Sequence, residues 1–504
     1  MEDHRFTIEE QPPRSQFESS LIFKYIRPCI AEMFGTILIV YTDICLGWDN
    51  TFAHGYLMFA LIAATSSVSG GCFNPVVTLA LTIFRGIQPV LALLFIISQI
   101  LGGIIGAALA QVAMSSADYK LNFGGVRTLG GAHALYPYRT PKTEISPGQG
   151  ILAEALATSI LVLVVLMVLL DERNKSKLAP LAIGLSVVGG IAANRWITGG
   201  SMNPVRSFGA AVVKNYWKHH YVYWVGPFLG GMLSTLMYGF VLASPNQLWL
   251  VCMNKMEEDN RFNIEEQPSK LRVYSTLFFK FIRPCVAELF GTTIFVFADL
   301  GGMNYISSTA FTHGLILFVL IAGTATVSGG HFNPAVTLAL TIVRGLQPVL
   351  APLYILSQLL GGIIGAGLAR AAMSSEQYTK TFGGVHMLGA DINPGQGILA
   401  EALATSLLVF VVLMVAFDER NKSEFAPLAI GFTVTGGILA IGVISGGSMN
   451  PARSFGPAVV KNYWKHHYVY WVGPFLGSIL STLMYGFVFA TPSQLWLPLR
   501  EPIT

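Results

Sequence analysis

The fold is decided by a short phrase that begins at Ser69 as SGGCFNPV and occurs in four versions. It recurs as TGGSMNPV from Thr198, SGGHFNPA from Ser328 and SGGSMNPA from Ser445. Asn is a favoured N-cap and Pro is favoured at the first helical position, so each phrase predicts a helix start. The helices that follow, near 74–84, 203–214, 333–343 and 450–461, are shorter than the roughly 20 residues that span a bilayer. The motif residues are Asn74, Pro75, Val76, Asn203, Pro204, Val205, Asn333, Pro334, Ala335, Asn450, Pro451 and Ala452.

The composition predicts a membrane protein. The chain has 504 residues, of which 53% are hydrophobic and only 12% are charged, whereas charged residues make up about a quarter of an ordinary soluble protein. The net charge of +4 gives no indication of nucleic-acid binding. The cysteines show no metal-binding spacing, and their odd number argues against a disulfide framework. We therefore expect a protein of the lipid bilayer with no metal, cofactor or nucleic-acid partner.

The chain is a tandem duplication with a second repeat inside each half. RFTIEEQP at residues 5–12 returns as RFNIEEQP at 261–268. Within each half, two three-helix units open on Ala-Glu, and each contains one Asn-Pro phrase. The boundaries predicted are a cytoplasmic N-terminal tail at 1–20, a first domain at 21–243, a cytoplasmic linker at 244–280, a second domain at 281–490 and a C-terminal tail at 491–504.

Apolar runs predict six membrane-spanning helices in each half. Because each unit has three spans, the second unit enters the membrane from the opposite side, so the two units are inverted repeats and their half-helices approach from opposite faces. The predicted spans are 28–46, 52–70, 88–112, 149–170, 178–197, 219–243, 282–301, 309–327, 347–371, 396–417, 426–444 and 466–490.

The distribution of Lys and Arg near the span ends favours cytoplasmic N- and C-termini. The bias is clear in the second half and weak in the first, where the 113–148 loop also carries basic residues. We expect a multi-pass protein of the plasma membrane, with an intracellular membrane as the alternative.

Two half-helices that meet tip to tip place two positive dipole ends at mid-membrane. The Asn at each tip offers an amide donor, and the Gly-Gly segments leave backbone carbonyls that require water in a bilayer. Such a line of polar groups suits neutral hydrogen-bonding molecules and repels cations. The sequence contains no nucleophile–base pair, so we expect no enzymatic activity.

Four such motifs in a nested repeat resemble the aquaporin (major intrinsic protein) family. The second half, from Ser445 through the segment NPARSFGPAVV to Trp471, is similar to the aquaporin-eight-like branch. The resemblance implies an all-α fold of two hourglass domains in tandem, each with six transmembrane helices and two re-entrant half-helices. It also implies one passive pore per domain that conducts water and excludes ions and protons. For the aquaporin-eight-like branch, the implied solutes also include ammonia and hydrogen peroxide.

The family also implies a selectivity constriction, which we place by offset from the motifs. Both halves give the quartet His, Ile, Gly, Arg, whereas strict water channels of the family usually have an aromatic residue first and a His second. An apolar wall beside one imidazole and one fixed positive charge favours water together with ammonia or peroxide. The constriction residues predicted are His54, Ile191, Gly200, Arg206, His313, Ile438, Gly447 and Arg453.

Four intramembrane carboxylates open the three-helix units. A proton-relay role is one interpretation, because ionisable residues inside a membrane are functional by default. The interpretation that we favour is that they accept N–H groups from the re-entrant segments and hold them in place. These residues are Glu32, Glu154, Glu288 and Glu401.

The first half departs from the motif pattern. Its Val76 and Val205 are bulkier than Ala and could narrow or tilt the half-helix tips, and its Arg195 and Trp196 could plug the pore or face a neighbouring domain. We therefore predict that the second pore is the more open one.

Two other functions stay open from the sequence: a structural membrane-junction protein with vestigial pores, and a twelve-helix secondary transporter. A four-pore assembly predicts a homodimer that forms a pseudo-tetramer.

Overall fold

A computed structural model describes residues 21–46, 51–130, 145–174, 176, 178–244, 277–302, 306–420 and 422–490. The predicted N-terminal tail, nearly all of the linker and the C-terminal tail lie outside these residues. The first domain contains helices α1 to α9, with bounds Arg27–Leu46, Thr51–Thr65, Pro75–Ile83, Pro89–Ala113, Ser116–Leu121, Pro147–Val165, Ala179–Asn194, Pro204–Lys214 and Val222–Met237. The second contains α10 to α18, with bounds Arg283–Gly301, Ile306–Ser328, Pro334–Ile342, Leu350–Ala372, Ser375–Lys380, Pro394–Val412, Ala426–Ser445, Pro451–Lys461 and Val469–Met484.

The predicted all-α fold is confirmed. Ten helices of the described chain are long and apolar enough to cross a membrane, and two shorter apolar helices lie at His54–Thr65 and Ala179–Asn194. Several spanning helices, including α6, α9, α15 and α18, continue into one further π-helical turn. Helix α2 ends at Thr65, before the predicted end at residue 70, because residues 66–69 form turns that lead into the first Asn-Pro phrase.

The four half-helices begin as the motif predicts. Each has its motif Asn as N-cap in extended conformation and its Pro in the first turn, and each Asn side chain accepts a hydrogen bond from the backbone N–H two residues on. The residue before each Asn lies in the left-handed region, with φ between 48° at Phe332 and 53° at Met202. This left-handed residue turns the chain from the Gly-Gly segment into the half-helix.

Small residues allow the helices of each domain to approach closely. A Cβ at Gly103 would lie 2.6 Å from the carbonyl oxygen of Val205, and a Cβ at Gly209 would lie 2.1 Å from the carbonyl oxygen of Gly103. The second domain repeats this contact between Gly362 and Gly456. Close backbone approach at Gly is a common way to pack helices in membranes, and here it brings the second half-helix of each domain, α8 and α17, against a spanning helix.

The two domains pack side by side through different faces. Helices α6 and α7 of the first domain contact α10 and α11 of the second. Hydrogen bonds cross the junction from Gln149 Nε2 to Met373 O at 2.6 Å and from Asn174 Nδ2 to Gly323 O at 2.9 Å. The interface is therefore heterologous, because each domain contributes a different surface.

The closest approach across this junction predicts the effect of one substitution. A Cβ at Gly301 would lie 2.2 Å from the backbone oxygen of Ala193. We expect Gly301→Val to destabilise the chain by about 1–3 kcal/mol, because the helix backbone would have to retreat. Thermal unfolding in detergent measures this, with Gly367→Val as control, since a Cβ at Gly367 meets nothing within 4 Å. Equal melting temperatures for the two variants would contradict the close packing of the domains.

Candidate pore and selectivity constriction

The half-helix tips of each domain are joined by reciprocal hydrogen bonds. Asn74 Nδ2 donates to Met202 O at 2.9 Å, and Asn203 Nδ2 donates to Phe73 O at 2.9 Å. The second domain repeats the pair at 2.8 Å, from Asn333 to Met449 O and from Asn450 to Phe332 O. Two inverted helix N-termini thus meet at the middle of each domain, with their positive dipole ends facing one another.

The carboxylates of the first unit in each domain hold the loop that leads to the half-helix. Glu288 Oε1 accepts from Ser328 Oγ at 2.7 Å and from His331 N at 2.9 Å, and Glu288 Oε2 accepts from Phe332 N at 2.7 Å. Gln358 Nε2 donates to the same carboxylate at 2.8 Å. Glu32 has the equivalent partners in the first domain, including Gln99 Nε2 at 2.9 Å.

The carboxylates of the second units do the same. Glu401 accepts from Ser445 Oγ at 2.6 Å, Ser448 N at 2.9 Å and Met449 N at 2.7 Å. Glu154 accepts from Thr198, Ser201 and Met202 over 2.6–2.9 Å. All four Glu side chains are fully buried. Their geometry therefore supports loop anchoring rather than proton relay, because two of the loop N–H groups are satisfied by each carboxylate.

The predicted constriction residues of the second domain come together around a residue that sequence reasoning missed. Asp299 of α10 accepts from Arg453 Nε at 2.6 Å and lies 3.0 Å from Nδ1 of His313. Arg453 Nη1 also donates to Gly384 O at 2.6 Å. His386 lies close by, with its Nδ1 2.8 Å from Ser454 Oγ. His313 and Arg453 are thus joined through one buried carboxylate.

The first domain has the same arrangement with one change. Asp43 accepts from Arg206 Nε and lies 2.7 Å from Nδ1 of His54. A second arginine, Arg127, stands where the second domain has His386, and its Nη2 lies 3.2 Å from both oxygens of Asp43. One carboxylate therefore faces two guanidinium groups in the first domain and one in the second.

The remaining two members of each quartet are direct neighbours. A Cβ at Gly447 would lie 2.9 Å from Cα of Ile438, and a Cβ at Gly200 would lie 2.7 Å from Cα of Ile191. Both glycines have positive φ, 72° and 64°. Only Gly suits this position, because a side chain would be strained there and would also collide with the facing helix.

A cavity of about 430 Å³ extends through the second domain and into its junction with the first. It extends from the loop around Lys422 past Asn333 and Asn450 at the half-helix tips to His313. Residues of the first domain, among them Asn174 and Ala179, line part of it. The equivalent space beside Asn74 in the first domain measures about 10 Å³, which is close to the minimum for a single water molecule.

Two lining positions explain part of this difference. Met58 and Leu169 line the small space in the first domain, whereas their counterparts Leu317 and Ala416 line the large cavity in the second. The shorter Ala416 leaves open the region that Leu169 fills. A sequence comparison of the two halves shows the Leu–Ala exchange, but only the structure shows that this position borders the lumen.

The bulkier Val76 leaves the N-cap conformation of its half-helix unchanged. A Cβ at Gly231 of α9 would lie 2.3 Å from Cγ1 of Val76, so the valine occupies space left by a glycine. At the matching position of the second domain, Ser478 Oγ donates to Ala335 O at 2.7 Å. The N-cap Asn residues of both domains have φ of −152° at Asn74 and Asn333. The added volume of Val76 is therefore absorbed by α9.

The segment of Arg195 and Trp196 lies at the end of α7 and near the junction of the domains. The guanidinium of Arg195 lies 5.3 Å from the centre of the Trp196 ring, and both side chains are partly exposed. Nearby, the backbone oxygen of Ala193 contacts Gly301 of the second domain. This placement favours the alternative that the segment adjoins the neighbouring domain.

A matched ion pair closes the turn after the fourth span of each domain. Asp418 accepts from Arg420 N at 3.0 Å and Arg420 Nε at 2.9 Å, and Tyr485 donates to it at 3.1 Å. Hydrogen bonds from Arg420 are the main cause that lowers the pKa of Asp418 to about 2. The carboxylate is therefore ionised throughout the physiological pH range, and Asp171 repeats the arrangement with Arg173.

Comparison with known proteins places both domains in one family. A profile described as "Major intrinsic protein" matches residues 19–238 and 276–485. Aquaporin-8 of Notomys alexis is 41% identical over 216 residues, which are 41% of this chain and 81% of that protein. Aquaporin TIP2-1 of Arabidopsis thaliana is 38% identical over 229 residues, covering 42% and 90%. The solved aquaglyceroporin of Plasmodium falciparum covers 41% of this chain and 96% of that one, with 22% identity and a TM-score of 0.36.

The chain therefore belongs to the major intrinsic protein family and contains two of its domains in tandem. The predicted family resemblance is confirmed. The protein is an integral multi-pass membrane channel for water and small solutes, and not an enzyme.

The loop-anchoring geometry predicts the effect of removing one charge. In Glu288→Gln the new amide cannot accept from every donor around it, so buried N–H groups lose their partners. We expect a loss of about 1–3 kcal/mol of stability for each donor left unsatisfied, measured as the unfolding temperature in detergent. Glu376→Gln, a partly exposed carboxylate paired with Lys380 on α14, is the control. Normal stability of Glu288→Gln would favour a role in proton transfer over loop anchoring.

Proposed function

We propose that each domain forms its own passive pore for water and for neutral solutes of the size of ammonia and hydrogen peroxide, and excludes ions and protons. The motif asparagines and the two constriction quartets line or shape these pores. The quartets are His54, Ile191, Gly200 and Arg206 in the first domain and His313, Ile438, Gly447 and Arg453 in the second. The second pore is proposed to be the wider one.

The observation that carries this proposal is the cavity of about 430 Å³ in the second domain. It places the two motif asparagines and His313 along one continuous space, as a single-file pathway requires. Cations face two helix N-termini there, each equivalent to about half a positive charge. Neutral molecules have no such barrier and gain hydrogen bonds from the amides and carbonyls.

Stopped-flow light scattering on liposomes that contain the purified full chain tests the function. We expect shrinkage under an osmotic gradient to be faster than in empty liposomes and to depend only weakly on temperature, since water would cross an open aqueous pathway. Ammonia and peroxide uptake in the same liposomes test the solute range, and a potassium-gradient dye assay tests ion exclusion. Shrinkage no faster than in empty liposomes would favour the junction protein with vestigial pores.

A reciprocal exchange tests which pore conducts. Ala416→Leu should reduce water permeability by more than half, because it introduces into the second lumen the side chain that fills the first. Met58→Leu combined with Leu169→Ala should raise permeability, because it gives the first lumen the lining of the second. Unchanged flux in Ala416→Leu, with the protein correctly inserted, would refute the ranking of the pores.

We also propose that two chains pair into a pseudo-tetramer of four pores. The faces that join the domains within one chain, α6–α7 and α10–α11, have repeat counterparts in α15–α16 and α1–α2. Among the described residues these counterparts carry exposed apolar side chains, such as Phe34, Leu399 and Val443, and α2 contacts the other domain through the ring of Phe52 against Phe311. The window within Pro147–Leu170 is 83% buried, whereas its counterpart within Pro394–Phe417 is 44% buried. A second copy would supply the missing contact, and a two-fold axis would close the ring.

One glycine tests the dimer. A Cβ at Gly189 would lie 2.3 Å from Cδ1 of Ile316 across the internal junction, whereas a Cβ at its counterpart Gly436 meets nothing within 4 Å. In the dimer, Leu57 of the second copy takes the place of Ile316. Gly436→Leu should therefore convert two-chain particles into single chains, as measured by mass photometry in detergent. Gly367→Leu should leave the dimer intact, and four-chain or single-chain particles of the unchanged protein would contradict the proposal.

We propose that both termini are cytoplasmic and that the protein resides in the plasma membrane. The basic residues near the span ends support this orientation. The potential glycosylation acceptor Asn174 would then be cytoplasmic and unmodified. Its Nδ2 donates to Gly323 O at 2.9 Å, and a glycan on this nitrogen would be incompatible with the contact between the domains.

A further inference from the structure

A buried carboxylate at the constriction belongs neither to the Asn-Pro motifs nor to the quartet. Asp299 is fully buried in α10. Its Oδ2 accepts from Nε and Nη2 of Arg453 at 2.6 and 2.5 Å, and its Oδ1 lies 3.0 Å from Nδ1 of His313. One side chain therefore controls both polar members of the quartet.

The first consequence concerns the arginine. Nε and Nη2 of Arg453 point at Asp299, and Nη1 points at the carbonyl oxygen of Gly384 at 2.6 Å. Each guanidinium nitrogen thus has an acceptor within the protein. The arginine keeps its charge, and three of its five N–H groups are directed toward these two acceptors.

The second consequence concerns the histidine. An ionised carboxylate can only accept hydrogen bonds, so Nδ1 of His313 must carry the proton. In the neutral ring, Nε2 is then the acceptor. His313 also lines the cavity of the second domain, and while its ring is neutral the nitrogen left for a permeating molecule is the acceptor Nε2.

We propose that Asp299 is a specificity-determining positioning residue, which gives the constriction of the second pore a hydrogen-bond acceptor and engages two of the five arginine N–H donors. The pore thereby favours small solutes that donate more hydrogen bonds than they accept, the chemical class of ammonia. This inference rests on the proposed function of the second domain as a pore.

The first domain has an equivalent carboxylate, Asp43, but there it contacts two arginines instead of one. Arg127 Nη2 lies 3.2 Å from each oxygen of Asp43, which also faces Arg206 and His54. Two fixed positive charges therefore share one negative charge at this constriction, against one of each sign around Asp299. Because Asp43 holds Nδ1 of His54 in the same way, the two constrictions differ in charge rather than in the acceptor, and we assign the preference to the second pore because its lumen is the wider one.

The test compares two permeabilities in liposomes of the full chain. Water permeability is taken from stopped-flow shrinkage, and ammonia permeability from internal alkalinisation after an ammonium chloride jump. In Asp299→Asn the amide can donate to Nδ1, so the tautomer with Nε2–H is allowed and the arginine is released. We expect the ratio of ammonia to water permeability to fall by roughly three- to tenfold, the effect of one hydrogen bond.

The controls separate positioning from folding. Asp299→Glu keeps the carboxylate and should restore most of the ratio, and Glu376→Gln makes the same charge change at a partly exposed position of α14. A proportional fall of both permeabilities in Asp299→Asn, or equal ratios in the Asn and Glu variants, would overturn the inference. If Asp299→Asn does not fold, His313→Phe removes the acceptor while the Arg453 pair remains, and an unchanged ratio there overturns the inference. Absence of water flux in the unchanged protein would instead refute the proposed function itself.

Discussion

Backbone groups that leave a helix inside a membrane must find partners within the protein, and the rest of this structure depends on how that constraint is met. An unsatisfied N–H group in hydrocarbon costs several kcal/mol, so irregular backbone survives there only when it is buried or lines a cavity. One glutamate in each three-helix unit, such as Glu288 or Glu401, accepts two loop N–H groups and one hydroxyl. The half-helices can begin at mid-depth because these carboxylates replace the missing helical partners.

Duplication has allowed the two halves to differ where the difference is compensated locally. Val76 packs where Gly231 leaves space, whereas the smaller Ala335 accompanies Ser478. The exchange of Cys72 for His331 is also accompanied by a change in a neighbour. The His331 ring lies 5.2 Å from the Tyr354 ring, and the first domain has Phe95 at the position that corresponds to Tyr354. Leu169 and Ala416 line the cavities themselves, so their difference bears directly on the lumen. Differences between packed side chains are thus matched by neighbouring residues, whereas a difference at a lumen-lining position changes the pathway.

The helices, the half-helices and the inverted repeat were predictable from the sequence, because Asn-Pro starts and long apolar runs depend on local chemistry. The two half-helix tips, where Asn74 contacts Met202 across 128 positions of the chain, could be predicted to meet only from the repeat symmetry. Asp43 and Asp299 were missed, although an acidic residue at matched positions inside two spans was a visible signal. Arg127 and His386 follow the repeated FGGV segment, but a loop position has no periodicity that places it in a pore. The volume difference between the lumens depends on the packing of several helices and could not be predicted from any single motif.

The charges at the two constrictions show why the domains are not equivalent. A buried ion pair is tolerated when its geometry satisfies both partners, whereas an excess buried charge needs water or further acceptors. In the second domain Arg453 and Asp299 balance one another. In the first domain Arg127 adds a second positive charge to Asp43, which Arg206 also contacts. Arg206 there donates to the oxygen of Gly125 in the loop that also carries Arg127. The two constrictions therefore differ by one positive charge, and in the first domain a single loop supplies both that charge and an acceptor for Arg206.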